Sequence, residues 1–409
     1  MEISPAPKSQ STRSLPRKIF DVLSGFGLAT VTLLLLGVLT WLATLEQIDN
    51  GLYPTLNKYF HWKSVFLLPQ INGKTIPLPL PGGYWVCAVL LVNLILGGII
   101  RIRKGWRHAG NIIAHFGIIF MLVGAGVSHH FSERGNMAIF EGGSNDAAED
   151  YLEHVVEIAE IKEGKPASIR VIRGKFIEDL GNTEKTFKLP DLPFDLELGG
   201  YLENAVAIAN SEGAPSNHEI IARNYYLTAK HKTVPPEPAE QYSAGCYARV
   251  VNRGGSKSEP FILLGGAYQP FSWREGDRVF TIEMRKRVWP MPFTVKLDKF
   301  IADFHPGTSV AAKFSSDITR LERGGSSSMT ISMNNPMRYE GLTFFQASYG
   351  SSGEPPHQKM YSVFEIVKNP ADQWPKWSLC IVAFGMFVTF MIKLTSFLAA
   401  SSRKSRHVP

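Results

Sequence analysis

The sequence predicts a membrane α-helical protein with a soluble β-rich, sandwich-like domain set between its third and fourth spanning helices. Three observations carry that expectation. Four apolar runs are long enough to cross a bilayer, which takes roughly 20 residues of helix. The stretch between the third and fourth runs has the punctuation of an ordinary soluble domain. Lys and Arg cluster at three places that fall on one side of a membrane crossed four times. The 409 residues are 44% hydrophobic and 19% charged, an average that hides these two populations.

The elements follow in chain order. Residues 1–21 form a basic tail. The first span is Val22–Leu45, which carries no charge. It is too long for the apolar region of a signal peptide, and Glu46 follows it without a small-residue cleavage pattern, so it is expected to stay uncleaved. A loop at 46–81 ends in Pro77, Pro79 and Pro81. The second span is Gly82–Ile100, and a short loop at 101–108 leads to the third, Ala109–Ser128. The β-rich domain takes 129–376. The fourth span is Trp377–Ala400, interrupted by Lys393, which lies near its end and can snorkel. Residues 401–409 form a second tail.

Orientation follows from the basic residues. Lys8, Arg13, Arg17 and Lys18 precede the first span. Arg101, Arg103, Lys104 and Arg107 separate the second from the third. Arg403, Lys404 and Arg406 follow the fourth. The positive-inside rule puts all three groups, and both termini, in the cytoplasm. The large domain is then extracytoplasmic. The net charge of +7 largely reflects these anchors and gives no reason to expect nucleic acid.

Within the domain, Val155–Ile161, Ser168–Ile172, Ile220–Thr228, Tyr247–Asn252, Val279–Met284 and Met329–Met333 are rich in β-branched and aromatic residues. Gly, Pro, Asn and Ser clusters separate them, which reads as strands and turns. The proline-rich piece Thr233–Glu240 reads as a loop. Pro193–Tyr201 and Pro292–Phe300 echo one another, as two related β units would. The three cysteines are Cys87 and Cys380 in spans and Cys246 in the domain, so the domain has no internal disulfide. No CxxC is present, and Cys246 is expected to be a small buried residue.

His115 is the most informative side chain, because it lies inside the third span. A titratable, metal-binding group at membrane depth is costly and usually functional. Two readings stand: a packing histidine bonded to a backbone carbonyl, or an axial ligand to a metal or haem. His129 and His130 end the same helix, fourteen residues or about 21 Å further on, the separation of two haems stacked across a bilayer; taken alone, the pair reads as interfacial polar residues. The other three spans contain no histidine, so the chain alone cannot build a bis-histidine site in the membrane. His108, beside Arg107, reads either as a water-side anchor or as a group meeting haem propionates. His61 lies in the loop after the first span, and His154, His218, His231, His305 and His357 lack ligand spacing and read as surface or packing residues. Gly110, Ala114, Gly117, Gly124 and Gly126 would let a helix or a planar ligand approach the third span closely. There is no GxSxG, Walker A or HExxH motif, and no catalytic constellation.

The context Ala114-His115-Phe116-Gly117, with Gly135 and Phe140-Glu141-Gly142, resembles the ResB-like (CcsB) family of cytochrome c biogenesis proteins. So does Asn335-Pro336-Met337-Arg338-Tyr339-Glu340-Gly341-Leu342-Thr343-Phe344-Phe345-Gln346-Ala347-Ser348-Tyr349, with Met337 where Leu is commoner and Phe345 where Tyr is commoner. Pro292–Phe300 and Phe314-Ser315-Ser316-Asp317 fit the same order. The resemblance implies a bacterial inner-membrane protein of System II cytochrome c maturation. It implies that the chain works with a CcsA-type partner on a separate polypeptide, since no tryptophan-rich haem motif is present. Together they would export haem b, as cargo, and support its attachment to an apocytochrome c; thioredoxin-like reductants are further expected partners. The chain would be a non-catalytic or co-catalytic subunit of a holocytochrome c synthase. His115 would be an inward-side haem ligand, with His108 and Arg107 as further haem contacts. A scaffold that never touches haem and a b-type redox cytochrome are the alternatives.

Overall fold

A computed structural model describes residues 14–71, 73–209, 225–231, 236–267, 269–308, 311–353 and 359–405. Lys8, Arg13, His218, His357, Arg406 and the segments 220–224 and 232–235 therefore lie outside the described residues. The chain divides into two units, one of Met1–Ser132 with Asn369–Pro409 and one of Glu133–Lys368.

Four helices of the first unit are long and apolar enough to cross a membrane: Phe26–Asn50, Gly83–Arg101, Trp106–Phe131 and Trp374–Ser401. Three lie before the β-rich unit in the chain and one after it, the arrangement expected from the sequence. The first apolar run is not one helix. Helix α1 (Leu15–Leu23) stops at Ser24-Gly25, and α2 (Phe26–Asn50) starts afresh. The break is held by the buried Asn93, whose Nδ2 donates to Leu23 O at 2.7 Å and Gly25 O at 2.9 Å. Carbonyls freed at membrane depth need such a partner, because lipid offers none.

The loop after α2 is structured. Helix α3 (Leu52–Phe60) and two small ladders, β1 (Phe66–Leu67) with β4 (Leu80–Pro81) and β2 (Gln70–Ile71) with β3 (Lys74–Thr75), pack near the end of α2. The buried Glu46 ties them together. It accepts from Lys58 Nζ at 2.6 Å, Tyr59 OH at 2.9 Å and Gln70 N at 2.9 Å. Helix α4 (Gly83–Asn93) then continues as a π-helix, Leu94–Arg101.

A 3₁₀ turn, Trp106–His108, opens α5 (Ala109–Phe131), which packs along α6 (Trp374–Ser405). The small residues of α5 explain the closeness. A Cβ at Gly117 would sit 2.7 Å from Val382 Cγ2 and 3.0 Å from Val382 N, and one at Gly385 would sit 2.5 Å from Ala114 N. Ser378 Oγ donates to Gly117 O at 2.6 Å. A helix, not a planar ligand, occupies Gly110, Ala114, Gly117 and Gly124. Gly126 has nothing within 4 Å of an added Cβ.

The second unit is antiparallel β throughout its ladders. Its strands are β5 (Glu133–Phe140), β6 (Ser144–Lys162), β7 (Lys165–Ile172), β8 (Glu184–Phe187), β9 (Phe194–Leu202), β10 (Ala205–Ala209), β11 (Tyr225–Ala229), β12 (Gly245–Asn252), β13 (Phe261–Leu264), β14 (Phe271–Glu275), β15 (Arg278–Phe304), β16 (Ala311–Glu322), β17 (Gly325–Ser332), β18 (Met337–Tyr339), β19 (Leu342–Ser352) and β20 (Lys359–Lys368). A ten-stranded sheet runs β17-β16-β15-β6-β5-β20-β19-β18, with β7 on β6 and β14 on β15. A four-stranded sheet runs β13-β12-β9-β8, and β10 pairs with β11.

Two long strands serve two cores. Val156 and Ile158 of β6, with Phe280, Ile282 and Met284 of β15, face Phe194, Leu196 and Leu198 of β9 and Cys246, Ala248 and Val250 of β12. This half is a two-layer sandwich. Beyond shifts of register near Lys286 and Pro290, β15 continues into a second core with Phe293, Val295 and Leu297. There it meets Met137, Ile139, Ile318, Ile331, Phe344, Phe364 and Ile366, contributed by five other strands of the same sheet. The two echoing segments lie in different sheets: Pro193–Tyr201 falls on β9, between β12 and β8, and Pro292–Phe300 on β15, between β6 and β16.

Candidate functional site

The third span presents His115 on the side away from its glycine stripe. Its Nδ1 lies 2.7 Å from Asn111 O, one turn earlier. A carbonyl only accepts, so Nδ1 carries the proton. In a neutral ring the lone pair then falls on Nε2, which has no hydrogen-bond partner among the described residues. Bonding one ring nitrogen to a backbone carbonyl is how metal-ligating imidazoles are oriented and kept basic.

The ring edge rests on Gly98, in the π-helical end of the second span. A Cβ there would lie 2.7 Å from His115 Cδ2 and 2.9 Å from Cγ. The wider π turn and the bare glycine together leave room for the imidazole; such turns often mark functional sites. The packing reading of His115 is visible in this geometry. The ring does bond a carbonyl, through the nitrogen that leaves the other free.

His108 ends the 3₁₀ turn and stands at the N-cap of α5, two turns before His115. Arg107 is exposed beside it. Among the described residues, neither is joined to His115 by a hydrogen bond or ring contact. The neighbouring basic residues are partly committed elsewhere. Arg101 donates to Ser24 Oγ at 2.9 Å and pairs with Asp21 at 3.8 Å, and Lys104 Nζ bonds Ile99 O. Arg103 and Arg107 are exposed. No group of three or more His, Cys, Asp or Glu placed to hold a metal ion occurs among the described residues.

Sequence reasoning missed one assembly. His61, Tyr84, His129 and His130, from three separate segments, gather at the C-terminal end of α5, with ring centroids 5.0–5.7 Å apart. The pairing of His129 with His130 was legible. Their meeting with His61 and Tyr84 depends on the fold of the 46–81 loop.

The Asn335–Tyr349 motif builds the second core and is structural. Glu340 and Gly341, at φ 50° and 74°, form a two-residue hairpin between β18 and β19, the conformation that a type I′ turn demands. Met337, Leu342 and Phe344 are buried. Gln346 Nε2 donates to Ser362 Oγ at 2.6 Å, and Gln346 Oε1 accepts from Ser316 Oγ at 2.8 Å, a closed buried triad across three strands. Cys246 is buried in the sandwich core, where burial pushes its thiol up to about 12, far from a reactive thiolate.

Four spanning helices with a β-rich unit between the third and fourth define a multi-pass membrane protein whose third span carries His115, with its Nε2 unengaged among the described residues. A model of the ResB-like family matches residues 102–173 and 272–356. A cytochrome c biogenesis protein CcsB from Picosynechococcus is 30% identical over 94 residues, 21% of this chain and 20% of that protein. Over those segments the chain is similar to the ResB-like family. Its match spans about one fifth of the length of that curated relative. The matched segments take in the third span with His115, both long strands, and the Asn335–Tyr349 hairpin. They leave out 174–271, which supplies the four-stranded layer.

Proposed function

We propose that this protein is a haem-handling subunit of cytochrome c assembly, with His115 as an axial ligand to haem as it crosses the membrane. The observation that carries the reading is the His115 ring, fixed through Nδ1 on Asn111 O and open at Nε2. The name of the CcsB relative supports the process. Haem is a largely apolar plate with two anionic propionates, suited to a seam between helices with basic residues at one mouth. His108, Arg103 and Arg107 stand at that mouth as propionate partners. No other span carries a histidine, so a second axial ligand comes from a separate CcsA-type chain.

The basic loops orient the chain with both termini in the cytoplasm. His115 then sits toward the inner leaflet, and the β-rich unit lies outside, where apocytochrome c receives haem at its CxxCH cysteines. Thioredoxin-like reductants of those cysteines are the further partners.

The experiment is reconstitution in a bacterial host deleted for its own cytochrome c assembly genes. The full chain, a CcsA-type protein and an apocytochrome c are expressed together or with one omitted. Haem-stained holocytochrome c should form only when both membrane chains are present. Equal holocytochrome without this chain would overturn the proposal.

A further inference from the structure

The seam between the second and third spans has an imidazole at each end. His115 rests on Gly98 near the end of the second span, and His129 packs against Tyr84 near its start. Fourteen residues are close to four helical turns, so both histidines lie on nearly the same side of α5. Sequence alone shows that spacing. The structure adds what surrounds the second ring.

His129 is the hub of its cluster. Its ring centroid is 5.6 Å from His61, 5.6 Å from Tyr84 and 5.0 Å from His130. The two neighbouring imidazoles are already engaged. His61 Nδ1 accepts from Lys63 N at 3.2 Å, which leaves the proton on Nε2 of a neutral ring. His130 Nε2 is bound to Tyr84 OH at 3.1 Å. Of the three, His129 alone has neither nitrogen engaged among the described residues, and it is exposed. No carboxylate takes part in these contacts.

One available imidazole cannot enclose a bare metal ion, and no such three-ligand group exists among the described residues. It does suit a metal that brings its own equatorial ligands. Haem iron has four porphyrin nitrogens and needs one or two axial donors. Exposed aromatic surface lies close by: Trp85 bonds Trp62 O through Nε1 at 3.0 Å, and Trp62 and Trp85 are 45% and 43% exposed. Lys63 offers a cation for a propionate.

We propose that His129 is a second haem-iron ligand at the opposite end of the seam from His115, with His61, His130 and Tyr84 as positioning residues. The inference rests on the haem-handling reading. It makes α5 a two-station element, each station offering one imidazole from this chain and leaving the other axial position open.

The test uses the full chain in nanodiscs, titrated with hemin and followed by absorption and electron paramagnetic resonance. His115→Gly isolates the second station; His115→Gly/His129→Gly removes both, and His129→Gln in the His115→Gly background is the non-ligating structural control. The His115→Gly protein should bind hemin as an imidazole-ligated species. Both double variants should bind at least tenfold more weakly, and added imidazole should restore the spectrum in the Gly variant, which an unfolded protein would not allow. Indistinguishable hemin binding by His115→Gly and the double variants would overturn the inference while leaving His115 untouched. Calorimetric binding of zinc(II) at this cluster without hemin binding would also overturn it, assigning the site to a free metal. Undiminished hemin binding by His115→Gly, with loss in the double variants, would support the His129 station and count against His115 itself.

Discussion

Helix α5 meets its two neighbours in opposite ways. Against α6 it presents glycines and alanine, and the space is filled by the partner's backbone and by Val382, with Ser378 bonding Gly117 O. Against the second span it presents histidines, and there the partner gives way: the backbone widens into a π-helix and Gly98 withholds a side chain. Membrane helices gain little from hydrophobicity when they associate, so close backbone packing must hold one side together. That tight contact is what lets the other side carry polar rings with a nitrogen left open. The packed side and the proposed haem-facing side are thus separated by roughly half a turn of one helix.

The largest effect should come from breaking the filled side. Gly117→Leu drives a side chain into the Val382 backbone and should destabilise the protein by about 1–3 kcal/mol or more, the range for overpacked cores. Thermal unfolding in detergent checks it, with Gly126→Leu as the matched control, since that position meets nothing within 4 Å. Equal melting of the two variants would show that α5 and α6 do not pack as described. A smaller and more selective effect is expected on the open side. Gly98→Ala puts a methyl 2.7 Å from His115 Cδ2 and must push the ring by a few tenths of an ångström. Hemin affinity at His115 should fall about tenfold, about 1.4 kcal/mol, while the melting temperature stays near wild type. Unchanged affinity would remove Gly98 as the seat of the imidazole.

Much of the fold was legible because its signals are local. Unbroken apolar runs give the spans, alternating β-branched residues give β6, β12 and β15, and Glu340-Gly341 gives a turn. What escaped depends on contacts between distant residues. The run from Val22 marks the break only by its Ser24-Gly25 pair, which an apolar span can absorb; the side chain that stabilises it, Asn93, lies about seventy residues away. The π turn carries only a Gly97-Gly98 pair, which a helical reading passes over. The loop after α2 looked irregular because the carboxylate organising it, Glu46, belongs to the preceding helix. His115 stood out because polarity in an apolar run is a local anomaly. His61 did not, because its importance comes from meeting Tyr84 and His129 in space.

The central claim is that His115 offers Nε2 to haem iron. The most direct measurement is the absorption spectrum of the full chain copurified with a CcsA-type partner, comparing wild type with His115→Gly, each with and without imidazole. The account predicts a lower haem content and an altered spectrum in His115→Gly, with any remaining haem at the His129 end of the helix, and recovery on adding imidazole, which fills the vacated position. Unchanged haem content and spectrum in the variant would contradict it and leave the protein a scaffold for its partner.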